Sequence, residues 1–112
     1  MVHAALPIAA LAIKIYANGH ERSELSEPVY GGYSNARGDI VLFGKELAYR
    51  VNFKNQTLRQ QPQLNSGAQA RYDATEAGEN FEYGNRTFRR LSHQQIADIC
   101  MAHQFRVSSK YM

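Results

Sequence analysis

The chain has 112 residues, 44 % hydrophobic and 21 % charged, which is enough to bury one core without staples and too apolar for a disordered protein. Its formal charge is +3, from 13 Lys and Arg against 10 Asp and Glu, which permits an anionic partner but does not demand one. The single cysteine, Cys100, excludes an internal disulfide framework and fits a reducing compartment.

Residues Ala4 to Ile13 are mostly apolar. No basic residue precedes them, Pro7 interrupts them, Lys14 closes them, and the run is too short to span a bilayer. The expectation is one domain over 1–112, soluble and cytoplasmic, with no membrane partner. Leu11, Ile13 and Ile15 share one face of a first strand, stopped by the turn dipeptide Asn18-Gly19. His20 to Glu27 is polar and reads as a short helix or a solvated loop. Pro28-Val29-Tyr30 restarts a strand, and Gly31 to Gly38 reads as a flexible loop.

From Asp39 to Phe53 two apolar, β-prone runs flank Gly44-Lys45, a hairpin signal. Leu47, Tyr49, Val51 and Phe53 fall on one face of its second strand. Ala48, Arg50, Asn52 and Lys54 fall on the other. Thr57-Leu58-Arg59 reads as a short continuation or an edge strand. Gln60 to Asn80 is polar, with Tyr72 the only large apolar residue between Ala68 and Ala77, and reads as an exposed excursion with a helical turn or two. Phe81 to Phe88 is a second hairpin, its Gly84-Asn85 pair supplying positive φ.

The C-terminal part carries the plainest helix signal. Ser92 and Gln95 have capping-box spacing, Leu91 and Ile96 stand where a hydrophobic staple puts them, and Ile96, Ile99, Cys100 and His103 form a stripe. The spacing predicts a helix from His93 to about His103, then a short strand at Phe105 to Val107. Leu91 to Cys100 with Val107-Ser108 resembles part of a helix-turn-helix. Met101 stands at the turn position that usually holds Gly, and Lys110 where an apolar residue packs, so no family is assigned. The fold class expected from these elements is α+β: a hairpin-rich antiparallel sheet of four to six strands, with a C-terminal helix packed on one face.

The chain has no Gly-rich phosphate loop, no paired-cysteine motif and no nucleophile elbow, so neither enzyme nor cofactor is expected. Cys100 and His103 are an i, i+3 pair able to ligate a metal, but a buried thiol and a helix-end cation are the preferred reading. Glu21, Glu24 and Glu27, and again Asp73, Glu76, Glu79 and Glu82, recur every three residues. If helical, each set lines an acidic stripe, of the kind that is usually a solvated face. Arg37-Gly38-Asp39 matches an adhesion tripeptide, a match of the length chance provides.

Arg86, Arg89 and Arg90 make the densest basic run, with Tyr83 and Phe88 beside them. Arg50 and Lys54 add charge to the central hairpin. These seven are the candidate binding residues, suited to phosphate, carboxylate or an acidic patch. The function expected is that of a small non-enzymatic binding protein acting by protein contact, a regulator or inhibitor of nucleic-acid-handling machinery of the kind mobile genetic elements encode. The alternative is direct nucleic-acid binding through the basic hairpin. A homodimer is a further expectation, through an edge strand at Leu11 to Ala17 or at Phe81 to Phe88.

Overall fold

Asn18 and Gly19 both take positive φ, 53° and 76°, the handedness a two-residue hairpin turn needs. The chain therefore folds straight back on itself. In the computed structural model, which describes residues 6–108, β1 (Ala9–Ala17) pairs antiparallel with β2 (His20–Val29). The polar segment expected as helix or loop is thus a strand. It lies at a sheet edge and is exposed from His20 to Ser26, so it needs no apolar alternation.

The remaining elements are β3 (Gly31–Asn35), β4 (Ile40–Phe43), β5 (Leu47–Asn52), β6 (Thr57–Pro62), α1 (Ser66–Asp73), β7 (Asn80–Tyr83), β8 (Arg86–Arg90), α2 (His93–Ala102) and β9 (Gln104–Ser108). All nine strands join one mixed sheet in the order β2-β1-β9-β6-β5-β4-β3-β8-β7. Strand makes up 52 % of the described residues and helix 17 %. This corrects the expected antiparallel sheet of four to six strands with a single C-terminal helix. Three causes account for the difference. β2 and β3 are strands without apolar alternation. The polar excursion folds a second helix. And α2 carries the chain back to the middle of the sheet, where β9 lies parallel to both β1 and β6. A crossover of that kind leaves no local turn signal.

Alternate residues of β4 and β5 feed two cores on opposite faces of the sheet. Leu42 pairs with Tyr49 on the face covered by α2, where Leu11, Ile13, Val51, Leu58, Ile96 and Phe105 complete the larger core. Val41, Phe43 and Ala48 point the other way, to Tyr33, Tyr72 and Phe81 under α1. Ala48, expected on the solvent side, is fully buried for this reason, while Leu47 and Phe53 at the strand ends remain partly exposed.

Asn65 caps α1 by accepting from the Ala68 N–H at 2.9 Å. Ala68 and Tyr72 are the buried residues of the helix, and Tyr72 is its large anchor. Its ring meets Phe43 at 5.1 Å and Phe81 at 5.9 Å between centroids, and its hydroxyl accepts from the Gly32 N–H at 3.0 Å. A Cβ on Gly31 would strike that hydroxyl, so glycine here is a requirement of close approach. On the other face α2 has the reciprocal Ser92–Gln95 capping box that its sequence announces. The chain passes from α2 through His103 directly into β9. No second helix follows among the described residues, so the helix-turn-helix resemblance does not extend to the structure. His3, Ala4, Ala5 and Lys110 lie outside the described residues.

Candidate functional site

The β7–β8 hairpin divides its basic residues between packing and solvent. Phe88 is half-buried, stacked on Phe81 at 5.3 Å and edge-on to Tyr33 at 5.5 Å. Arg90 lies over the Tyr72 ring and donates to the Tyr72 and Thr75 carbonyls at 3.0 and 2.8 Å. It caps the end of α1, where the last carbonyls lack helical partners. Arg89 is exposed and donates from Nε to Asn80 at 3.1 Å. Arg86 is exposed, and the Tyr83 ring lies against Gly67 of α1.

Arg50 and Lys54 lie apart from that hairpin, with β4 and β3 between. Arg50 points to the α1 face, where its guanidinium meets Gln61 Oε1 at 3.1 Å and Asp39 Oδ2 at 3.3 Å. The Asn35 amide donates to the same carboxylate at 3.0 Å. That hydrogen bond, with the charges of Arg37, Arg50 and Arg59, holds Asp39 below the usual carboxylate range. Arg37 also folds back on Asp39 at 3.3 Å, so the Arg-Gly-Asp tripeptide is closed on itself. Lys54 is exposed in the turn after β5 and lines a hollow of about 580 Å³ with Asp39, Arg50 and Arg59.

A larger opening lies beyond that hollow, inside the sheet. β6 and β9 are in register at one position only, Thr57 with Arg106, where the Arg106 N–H donates to the Gln56 carbonyl at 2.8 Å. Beyond this position the strands part and leave a cleft of about 800 Å³. Its walls are Thr57 to Gln60 on one side and Arg106 to Ser108 on the other, with Tyr16 to Gly19 at the end of the β1–β2 hairpin. Among the described residues, Arg59 and Arg106 are the charged ones that line it, and no carboxylate does. Arg106 donates to the Asn55 carbonyl at 3.0 Å and sits 6.0 Å from the centre of the Tyr16 ring. The Arg59 side chain makes no hydrogen bond or close ion pair among the described residues, and its charge acts on Asp39 across the hollow. Arg59 lines both openings and so joins them into one cationic groove with Lys54 and Arg50 on its far side.

Sequence reasoning missed Arg59, Arg106 and Tyr16. They are far apart in the chain and meet only because β9 enters beside β6. The strand at Phe105 to Val107 was a legible signal, but its position in the sheet was not.

The other chemical candidates are dispersed. Glu21 and Glu24 lie on a strand, not a helix, and both pair with Lys14, at 3.3 and 3.8 Å. Asp73 to Glu82 runs from the end of α1 through a turn into β7, so it makes no single stripe. Cys100 is half-buried, and burial raises its thiol pKa. His103 is held by Gln56 at 2.9 Å and by the Phe53 and Phe105 rings. Among the described residues no three His, Cys, Asp or Glu side chains come together to hold a metal. Nor is any helix there long and apolar enough to cross a membrane.

No protein-family model matches the chain, and no curated protein or solved structure matches it either.

Proposed function

We propose that this chain is a non-enzymatic, cytoplasmic binding protein that acts by contact with a protein partner, as a regulator or inhibitor of nucleic-acid-handling machinery. The observation that carries the reading is the cationic groove over β5, β6 and β9. Arg59 and Arg106 line its cleft with no carboxylate among the described lining residues, and Lys54 extends it through a hollow where Asp39 is paired with Arg50. Glu21 and Glu24 of β2 are occupied by Lys14. Separated patches of charge steer a complementary surface into one orientation and raise its rate of encounter.

Direct nucleic-acid binding is the second reading. Tyr16 favours it, since a half-buried ring beside Arg106 offers a base a place to stack. Protein contact is preferred because most strand aromatics are committed elsewhere. Tyr33, Phe43 and Phe81 are core, and Phe88 packs on them.

Capture from the source cell with the tagged chain, followed by reconstitution with the purified partner, tests the reading. A stoichiometric protein complex that survives nuclease treatment is the expected result. Recovery of nucleic acid alone, with affinity falling steeply as salt rises, supports the second reading instead.

A further inference from the structure

We infer that the cleft between β6 and β9 receives an extended segment of the partner in which acidic and apolar side chains alternate. This rests on the protein-contact reading and specifies the partner's chemistry.

The backbone supplies the first argument. The Thr57–Arg106 bridge takes the Gln56 carbonyl and the Leu58 N–H, and peptide groups repeat their direction every second residue along a strand, so the Leu58 carbonyl and the Gln60 peptide groups face the cleft. By the same alternation from the Arg106 N–H, Ser108 presents its own from the opposite wall. Beyond that bridge no described residue of β6 pairs with β9. Two strand edges that face each other across an opening form a template for an added strand.

The side chains supply the second argument. Arg59 pairs across the sheet with Arg50, and Arg106 with Thr57, which places both arginines on the α1 face of the cleft. Leu58 and Val107 belong to the α2-side core, and Ala17 is buried nearby. An inserted strand turns successive side chains to opposite faces. Its residues on the α1 face meet two guanidinium groups, and those on the α2 face meet Leu58 and Val107. Carboxylates suit the first set, through charge-assisted hydrogen bonds to arginine, and Val or Ile the second. A phosphate chain would satisfy the arginines but neither the open peptide groups nor the apolar floor.

The test is titration of the full chain with an N-acetylated, C-amidated peptide of alternating glutamate and valine, followed by backbone amide NMR. The expected result is saturable binding that moves the amide signals of Leu58, Gln60 and Ser108. Replacing the glutamates by lysines abolishes it, and N-methylating alternate peptide bonds weakens it roughly tenfold, since the strand hydrogen bonds are then lost. Arg59→Glu also weakens it roughly tenfold with only a small change in the thermal midpoint, because the Arg59 side chain is exposed and makes no hydrogen bond. Equal binding of the N-methylated peptide, or amide shifts confined to the β7–β8 hairpin, overturns the inference. So does an oligothymidylate that moves the same three amides when the peptide does not. Capture of one protein partner by both wild type and Arg59→Glu discards the cleft and leaves the protein-contact reading standing. Peptide binding in the cleft with no protein ever captured discards that reading and supports the cleft.

Discussion

Arg90 lies with its guanidinium carbon 4.4 Å from the centre of the Tyr72 ring and binds the Tyr72 carbonyl at 3.0 Å. One side chain thus stacks on α1's only aromatic anchor and closes its C-terminal end. This separates Arg90 from Arg86 and Arg89, with which the sequence groups it. Arg90→Ala removes a half-buried cation, two carbonyl bonds and a stacked contact, and is expected to lower stability by ~2 kcal/mol. The double change Arg86→Ala, Arg89→Ala alters exposed positions and is expected to stay within ~1 kcal/mol. Urea denaturation midpoints compare the two directly. Equal losses would mean that Arg90 does not hold α1.

Tyr72 and Gly31 form a second linked pair. Tyr72→Phe keeps the ring and leaves the Gly32 N–H buried without its acceptor, for an expected loss of ~1–3 kcal/mol. Gly31→Ala drives a methyl into the space of the same hydroxyl. If that clash is the cause of its loss, Gly31→Ala is better tolerated in the Tyr72→Phe background than in wild type. A double-mutant cycle by thermal denaturation measures the coupling, and additive losses would contradict the contact.

Local signals were legible in this sequence wherever residues near in the chain decide the outcome. Ser92 and Gln95 announce α2, Gly84-Asn85 announces the β7–β8 turn, and Gly44-Lys45 announces the central hairpin. Hairpin geometry and helix caps depend on a handful of adjacent residues. β2 was illegible because an edge strand exposed on both faces has no reason to alternate. α1 was illegible because its burial rests on Tyr72 and the small Ala68 in a polar run. The cleft was the least legible feature. Arg59 and Arg106 look like ordinary solvated cations until β9 places them on facing walls.

Tyr49 gives a prediction on the alkaline side. Burial, followed by the adjacent Glu27 carboxylate, pushes its phenol up to about 12. The fold therefore favours the neutral phenol. Its contribution to stability is fully present below the ordinary phenol pKa of ~10 and is lost as pH rises from there through about 12. Phenolate absorbance difference between wild type and Tyr49→Phe is expected to show one late-titrating tyrosine. Glu27→Gln shifts that step down towards the ordinary range while burial keeps it above. A step that titrates with the exposed tyrosines would contradict the buried placement.

The central claim is that this protein works through the cationic groove on β5, β6 and β9, not through the basic hairpin at β7–β8. The most direct measurement is the affinity of the purified partner for three forms of the chain: wild type, Arg59→Glu, and the double change Arg86→Ala, Arg89→Ala. The account predicts at least a tenfold loss for Arg59→Glu, equivalent to ~1.4 kcal/mol, and near wild-type affinity for the double change. Full affinity for Arg59→Glu, with the loss falling on the hairpin variant, would contradict it.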